Sequence, residues 1–202
     1  MLRNLAVLLM VLIVAATAHA QPRSLFGSDE FEIGGFGGVG THYTTFKGDP
    51  GFLVGGFGAF HVNKVIYLGI GGYGLTTRHD APAFPSGEDA VWNMGYGGGL
   101  VGVIWKSDDI LHLAGDVLIG GGGVGKGLKD YDYDEDDDEH RHLEDEFFMV
   151  QPMVHGVLNV TSWMRVTAGA GYRFVNGVDT RGLDNSDLSG PVAGLTFRWG
   201  RW

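Results

Sequence analysis

Apolar and polar or small residues alternate with a period of two along most of this chain, and the alternation falls into eight segments. In the first, Phe31 to Tyr43, the residues Phe31, Ile33, Val39, Thr41 and Tyr43 share one face. Glu32, Gly34, Gly38, Gly40 and His42 share the other. Phe52 to Val62 repeats the pattern with Phe52, Val54, Phe60 and Val62 in register, and Val65 to Arg78 is the third segment. Val91 to Lys106 is the fourth, with Trp92, Met94, Tyr96, Leu100 and Ile104 on one side. In the fifth, Ile110 to Val124, Leu111, Leu113, Val117 and Ile119 oppose His112, Ala114 and Asp116. The sixth, Phe147 to Leu158, aligns Phe148, Val150, Val154 and Leu158. In the seventh, Met164 to Val175, Met164, Val166, Ala168, Ala170, Tyr172 and Phe174 oppose Arg165, Thr167, Gly169, Gly171 and Arg173. The chain ends on Ser189 to Trp202, where Ala193, Leu195, Phe197 and Trp199 oppose Gly194, Thr196, Arg198 and Gly200, and Trp202 falls on the Gly/Thr/Arg face.

The connections divide by side. The second, fourth and sixth are short: Asn63-Lys64, Ser107 to Asp109 and Asn159 to Ser162. The third, Asp80 to Glu88, the fifth, Gly125 to Asp145, and the seventh, Asn176 to Asp187, are long and polar. The first, Lys47-Gly48-Asp49-Pro50, is short and polar with turn chemistry. An even number of strands with short turns at one end and longer loops at the other is the layout of an up-and-down antiparallel barrel, with both termini at the short-turn end.

The start of the chain adds an export signal. Arg3 precedes an apolar run from Leu5 to Ala16, and Ala18-His19-Ala20 before Gln21 has the small-x-small form of a cleavage site. The run is shorter than the ~20 apolar residues of a bilayer anchor. Residues 1–20 are read as a signal peptide and 21–202 as one barrel domain. No cysteine is available for a lipid anchor or a disulfide, so this exported fold rests on hydrogen bonds and packing. Without Arg3 the chain carries 13 basic against 24 acidic residues, a net charge of −11, which argues against nucleic acid as a partner. No later segment has the length or the 3.6 period of a transmembrane helix.

The 36 glycines produce four matches to G-x-G-x-x-G, at Gly35/Gly37/Gly40, Gly69/Gly71/Gly74, Gly97/Gly99/Gly102 and Gly120/Gly122/Gly125. A dinucleotide site needs a helix to begin at the motif, and no helical pattern follows any of the four. The glycines fit better as relief in a narrow, tightly curved barrel. Within the long acidic loop 125–145, Asp130 to His142 is a run of carboxylates. It lacks the Gly and the Glu an EF-hand requires where Glu135 and Arg141 stand. Two readings stay open, a solvated loop and a weak divalent-cation site beside lipopolysaccharide phosphates. No cysteine, G-x-S-x-G element or serine–histidine pairing supports nucleophilic catalysis, so no enzyme activity, cofactor, catalytic residue or metal site is expected.

Glu32, His112, Asp116, Gln151, His155, Arg165, Arg173 and Arg198 all fall on small-residue faces. Charges there must pair if they are desolvated, so these residues are candidates for an ion-paired plug or for a narrow polar conduit. Closure of the last strand on the first predicts a Glu32–Arg198 contact with Arg165 nearby.

The segments Asn159-Val160-Thr161, Tyr172-Arg173-Phe174 and Asp187-Leu188-Ser189-Gly190-Pro191, followed by Gly194 to Gly200, resemble the C-terminal half of small, poorly characterised bacterial outer-membrane β-barrel proteins. The likeness implies an all-β, eight-stranded antiparallel transmembrane barrel in the outer membrane of a Gram-negative bacterium, with both termini periplasmic. It implies outer-membrane lipid and lipopolysaccharide as surroundings, the barrel-assembly machinery as a partner through the C-terminal strand, and a monomer. It implies no activity. Three functions follow: a non-enzymatic surface or envelope protein displaying acidic loops, a narrow channel or small-ligand carrier with a charged lumen, and a soluble exported barrel of lipocalin type. The last would place Trp92, Tyr172, Phe197 and Trp199 inside and Arg165, Arg173 and Arg198 outside.

Overall fold

A computed structural model describes residues 32–84, 87–128, 142–180 and 182–202. Residues 1–20, expected to be a signal peptide, and the run Asp130 to Arg141 lie outside the described residues. The strands are β1 (Ile33–Phe46), β2 (Asp49–Val62), β3 (Ile66–Leu75), β4 (His79–Ala81), β5 (Ala90–Trp105), β6 (Leu111–Leu128), β7 (His142–Asn159), β8 (Met164–Asn176) and β9 (Gly190–Gly200). A single helical turn, α1 (Asn185–Leu188), precedes β9. Every pairing is antiparallel, in the order β3-β2-β1-β9-β8-β7-β6-β5, and β3 pairs with β5 to close the ring. The result is a closed barrel of eight strands with β4 as an appendage. β4 takes up the edge of β5 above the point where β3 leaves it, with His79 opposite Trp92.

Side-chain alternation sets the facing. In β1, Ile33, Val39, Thr41 and Tyr43 are exposed, and Gly34, Phe36, Gly38, His42, Thr44 and Phe46 are buried. In β8, Arg165, Thr167, Arg173 and Val175 are buried between exposed Ala168, Ala170, Tyr172 and Phe174. In β9, Val192, Thr196 and Arg198 point in, and Leu195, Phe197 and Trp199 point out. β5 reverses the chemistry of its faces. Trp92, Met94, Tyr96, Leu100 and Ile104 share a face as expected, but that face is the interior, and Val101, Val103 and Trp105 lie outside. Two-row alternation fixes which residues travel together, not which row faces in.

Several boundaries differ from the sequence reading. The first connection is only Lys47-Gly48, with φ of 54° and 82°, and Phe46 pairs directly with Asp49. Both left-handed dihedrals belong to a type I′ turn, whose twist matches that of the flanking strands. β3 stops at Leu75, and Asp80 and Ala81, expected in a loop, pair with Val91 and Ala90. The fifth connection is shorter than 125–145, because Gly125 to Leu128 and His142 to Asp145 are strand, with a register shift at Val124/Gly125. Along β7–β8 the ladder is interrupted at Gln151 and Pro152, since proline has no N–H to give. α1 was not foreseen, although Asp184 and Asp187 have the spacing of a capping box. The Asp184 carboxylate accepts from the backbone N–H groups of Ser186 and Asp187, and the Asp187 carboxylate accepts from the Asp184 N–H. Hydrogen bonds to Ser186, first from its side chain and then from its backbone, hold the Asp184 carboxyl below its usual range.

The barrel is filled rather than hollow. At the end carrying the three short turns and both described termini, Trp202 folds in against Phe36, 4.3 Å between ring centres, and lies parallel to His61 at 6.0 Å. At the opposite end Phe46, Leu53, Trp92, Val124, Met149 and Leu188 are all almost fully buried. Leu188 reaches that layer from α1, so the last loop serves as part of the plug.

Candidate functional site in the barrel lumen

Between the two apolar plugs lies a polar layer centred on Asp116 of β6. One of its carboxylate oxygens accepts from the Tyr67 hydroxyl at 2.6 Å and meets His155 Nε2 at 2.9 Å. Arg198 approaches the same oxygen at 3.9 Å. These four side chains come from β3, β6, β7 and β9, so the cluster ties strands across the lumen. Above it the Tyr96 hydroxyl donates to Gln151 Oε1 at 2.9 Å.

The eight residues expected in the lumen do not form one network. Asp116, His155 and Arg198 come together as described, and Gln151 sits in the adjoining layer. Arg173 is completely buried but meets no carboxylate among the described residues: its Nε donates to the Leu188 carbonyl at 2.7 Å, and its guanidinium lies 5.4 Å from the Tyr96 ring centre. It therefore fastens α1 to the wall of the barrel. Arg165 lies 3.6 Å above the ring of Trp202, a cation–π contact at the short-turn end. His112 is buried and spends Nδ1 on the Asp109 carbonyl of its own turn, at 3.1 Å.

Glu32 is a correction. It precedes β1, is exposed, and pairs with Lys64 at 3.5 Å. The β1–β9 register explains why the predicted Glu32–Arg198 contact does not form. Arg198 lies opposite Gly38, and β9 ends opposite Phe36. Glu32 is six residues beyond Gly38, roughly 20 Å along the strand. The expectation had put the two ends of the closing pair level, whereas barrel closure requires a stagger.

Sequence reasoning passed over Tyr67 and His42. Tyr67 stands between Ile66 and Leu68 of an exposed row, so its opposite facing was readable from the alternation. His42 was placed on the small-residue face but not chosen. It stacks on Tyr73 with ring centres 4.0 Å apart. The four G-x-G-x-x-G matches all lie within β1, β3, β5 and β6, and none opens a helix. Among the described residues, no group of three or more potential ligands is placed to hold a metal ion.

No protein-family model matches the chain, and no curated protein matches it. Among solved structures, Neisserial surface protein A aligns over 85% of this chain and 99% of its own length, at 10% identity and a TM-score of 0.59. The two share the barrel fold. An acetoacetate decarboxylase-like enzyme from Sphingomonas wittichii RW1 aligns at 10% identity over 92% of this chain and 96% of its own, but with a TM-score of 0.17, which is no likeness of fold.

Proposed function

We propose that this chain is an integral outer-membrane β-barrel with a non-enzymatic role at the cell surface, and that its lumen is a structural plug. The observation that carries this reading is the outer face. Ile33, Val39, Val54, Ile70, Val103 and Leu113 are all more than half exposed on it, and a water-soluble protein of this size does not display so continuous an apolar surface. The band has the right height. Ile33 and Tyr43 lie ten residue steps apart on β1, which at ~3.3 Å per step and a tilt of about 40° span about 25 Å. Aromatic side chains mark both edges: Phe60, Trp105, Trp163 and Trp199 at the short-turn end, and Tyr43, Phe52, Phe148, Tyr172 and Phe174 at the other. Aromatic girdles of this kind sit at membrane–water interfaces.

The soluble lipocalin-type reading loses on the same face. Of its four inward aromatics only Trp92 is inside, and Arg165, Arg173 and Arg198 are buried rather than outside. An open channel is disfavoured by the apolar plugs above and below Asp116. The long connections, with the acidic run Asp130 to Glu139, would face the cell exterior, and both termini would lie in the periplasm. Lipid and lipopolysaccharide would contact the outer face, and the barrel-assembly machinery would engage β9. The monomer would be the functional unit, because a closed barrel leaves no strand edge to pair.

Two assays test the reading. Folded protein extracted in detergent should migrate differently on a gel before and after boiling. Protease added to intact cells should cut within residues 130–141 and leave the strands intact. Recovery in the aqueous fraction without detergent would refute the membrane assignment. Cutting that begins only once the outer membrane is opened would invert the topology.

A further inference from the structure

The interior of the barrel is out of charge balance. Its buried charged side chains among the described residues are three guanidiniums, Arg165, Arg173 and Arg198, against the single carboxylate Asp116. Low-dielectric surroundings make such an excess costly unless a counter-charge is present. The carboxylate is also heavily used, since Tyr67, His155 and Arg198 all converge on one of its oxygens.

The same layer contains a chamber. His155, Gly169, Gly194 and His42 lie in one continuous row across β7, β8, β9 and β1. A Cβ on Gly169 would strike the His155 ring at Nδ1, and one on Gly194 would come within 2.5 Å of the His42 ring. The two imidazoles therefore reach towards each other over a floor of two glycines. Around them a cavity of about 30 Å³ is lined by His42, Tyr73, Asp116, His155, Thr196 and Arg198, among others. A cavity of that size holds one or two water-sized particles. Two buried nitrogens of the residues that line it have no hydrogen-bond partner: Arg198 Nε, which is always a donor, and His42 Nδ1.

We propose that this chamber is a binding site for a single small inorganic anion of halide size, held by Arg198 Nε with help from His42 and the Tyr73 and Thr196 hydroxyls. Water alone would fill the space but add no charge beside Arg198, whose one nearby carboxylate oxygen is shared with Tyr67 and His155. A cation is disfavoured because Arg198 forms part of the wall and Asp116 is already engaged. A carboxylate or phosphate ligand exceeds the volume. The inference stands on the lumen and does not depend on what surrounds the outer face.

The probe is bromide. Wild-type protein folded in detergent is heated in sodium bromide and in sodium gluconate at matched ionic strength. The unfolding midpoint should rise with bromide concentration and saturate, as binding to the folded state alone requires, and should stay flat in gluconate. The rise should disappear in Arg198→Gln. Should that variant not fold, crystals of the wild type grown in bromide decide the matter: an anomalous peak is expected within hydrogen-bonding reach of Arg198 Nε. Equal midpoints in the two salts, or a chamber filled by water only in the bromide crystals, would overturn the proposal.

Discussion

Replacing Asp116 by Asn keeps the shape of the lumen layer and removes its one buried negative charge. The Tyr67 hydroxyl at 2.6 Å and His155 at 2.9 Å would then face a neutral amide, and Arg198 would lose the carboxylate 3.9 Å away. Both short hydrogen bonds end on one carboxylate oxygen, so an amide oxygen in its place can keep both. Each then has a neutral acceptor, worth about 0.5–1.5 kcal/mol rather than about 1.5–3 kcal/mol for a charged one, a change contained in the cost of breaking the buried pair. Arg198 loses the buried carboxylate it faces, and breaking a buried pair costs about 3–5 kcal/mol. We expect a total loss near 3–5 kcal/mol, which for a chain of this length corresponds to a fall of roughly 6–20 °C in Tm. Thermal unfolding in detergent, followed by loss of heat-modifiable mobility, measures it. Arg198→Gln in the Asp116→Asn background should restore part of the loss, because the unmatched cation is then gone. A loss under about 1 kcal/mol, with the two substitutions additive, would show that Asp116 and Arg198 are screened from each other and refute the tied layer described above.

Three further substitutions probe other parts of the barrel. Ala168→Arg, on the outer row of β8 near mid-strand, should destabilise the protein in lipid vesicles by about 2–4 kcal/mol, measured by reversible urea unfolding. Gly120→Ala should cost roughly 1–3 kcal/mol, because the new methyl would collide with the Gly97 carbonyl and lie 2.6 Å from Gly98 Cα, whereas Gly58→Ala, with nothing within 4 Å, should be neutral in the same assay. Trp202→Ala should cost roughly 2 kcal/mol, below the value for a fully buried tryptophan because the indole is only partly covered, and should raise solvent access to Phe36 and Arg165 as read by hydrogen exchange at that end.

The barrel was legible because a period of two survives any error in strand boundaries. The Gly/Thr/Arg row of β9 and the Arg165/Thr167/Arg173 row of β8 each read as one face, and both are interior. What alternation cannot convey is stagger. Arg198 lies on an interior row as its alternation implied, but Glu32 lies outside the strand, and the register that places Arg198 opposite Gly38 is a property of closure around the whole ring. Facing was ambiguous where both rows were apolar, as in β5: the Trp92 row is inside because aromatic volume is needed to fill the plug, not because the row is less hydrophobic. The lumen site was half visible. Asp116, His155 and Arg198 stood out as charges among glycines, whereas Tyr67 and His42 required attention to which side of a strand an amphipathic ring occupies. The role of Arg173 could not be read from its own strand, because its acceptor, the Leu188 carbonyl, belongs to a helical turn whose capping residues, Asp184 and Asp187, looked like loop.

The absence of cysteine makes the membrane claim directly measurable. Single cysteines at Val39, Val101 and Leu195 on the outer face, and at Thr196 on the inner face, can each carry a nitroxide spin label in protein folded into lipid vesicles. Relaxation by dissolved oxygen and by a water-soluble nickel chelate then reports the surroundings of each label. Oxygen-dominated relaxation at positions 39, 101 and 195, with little from the chelate, is the result expected for a barrel whose apolar band lies in lipid. Chelate-dominated relaxation at those three positions would mean that the outer face meets water, and the account of this chain as an integral membrane barrel would be wrong.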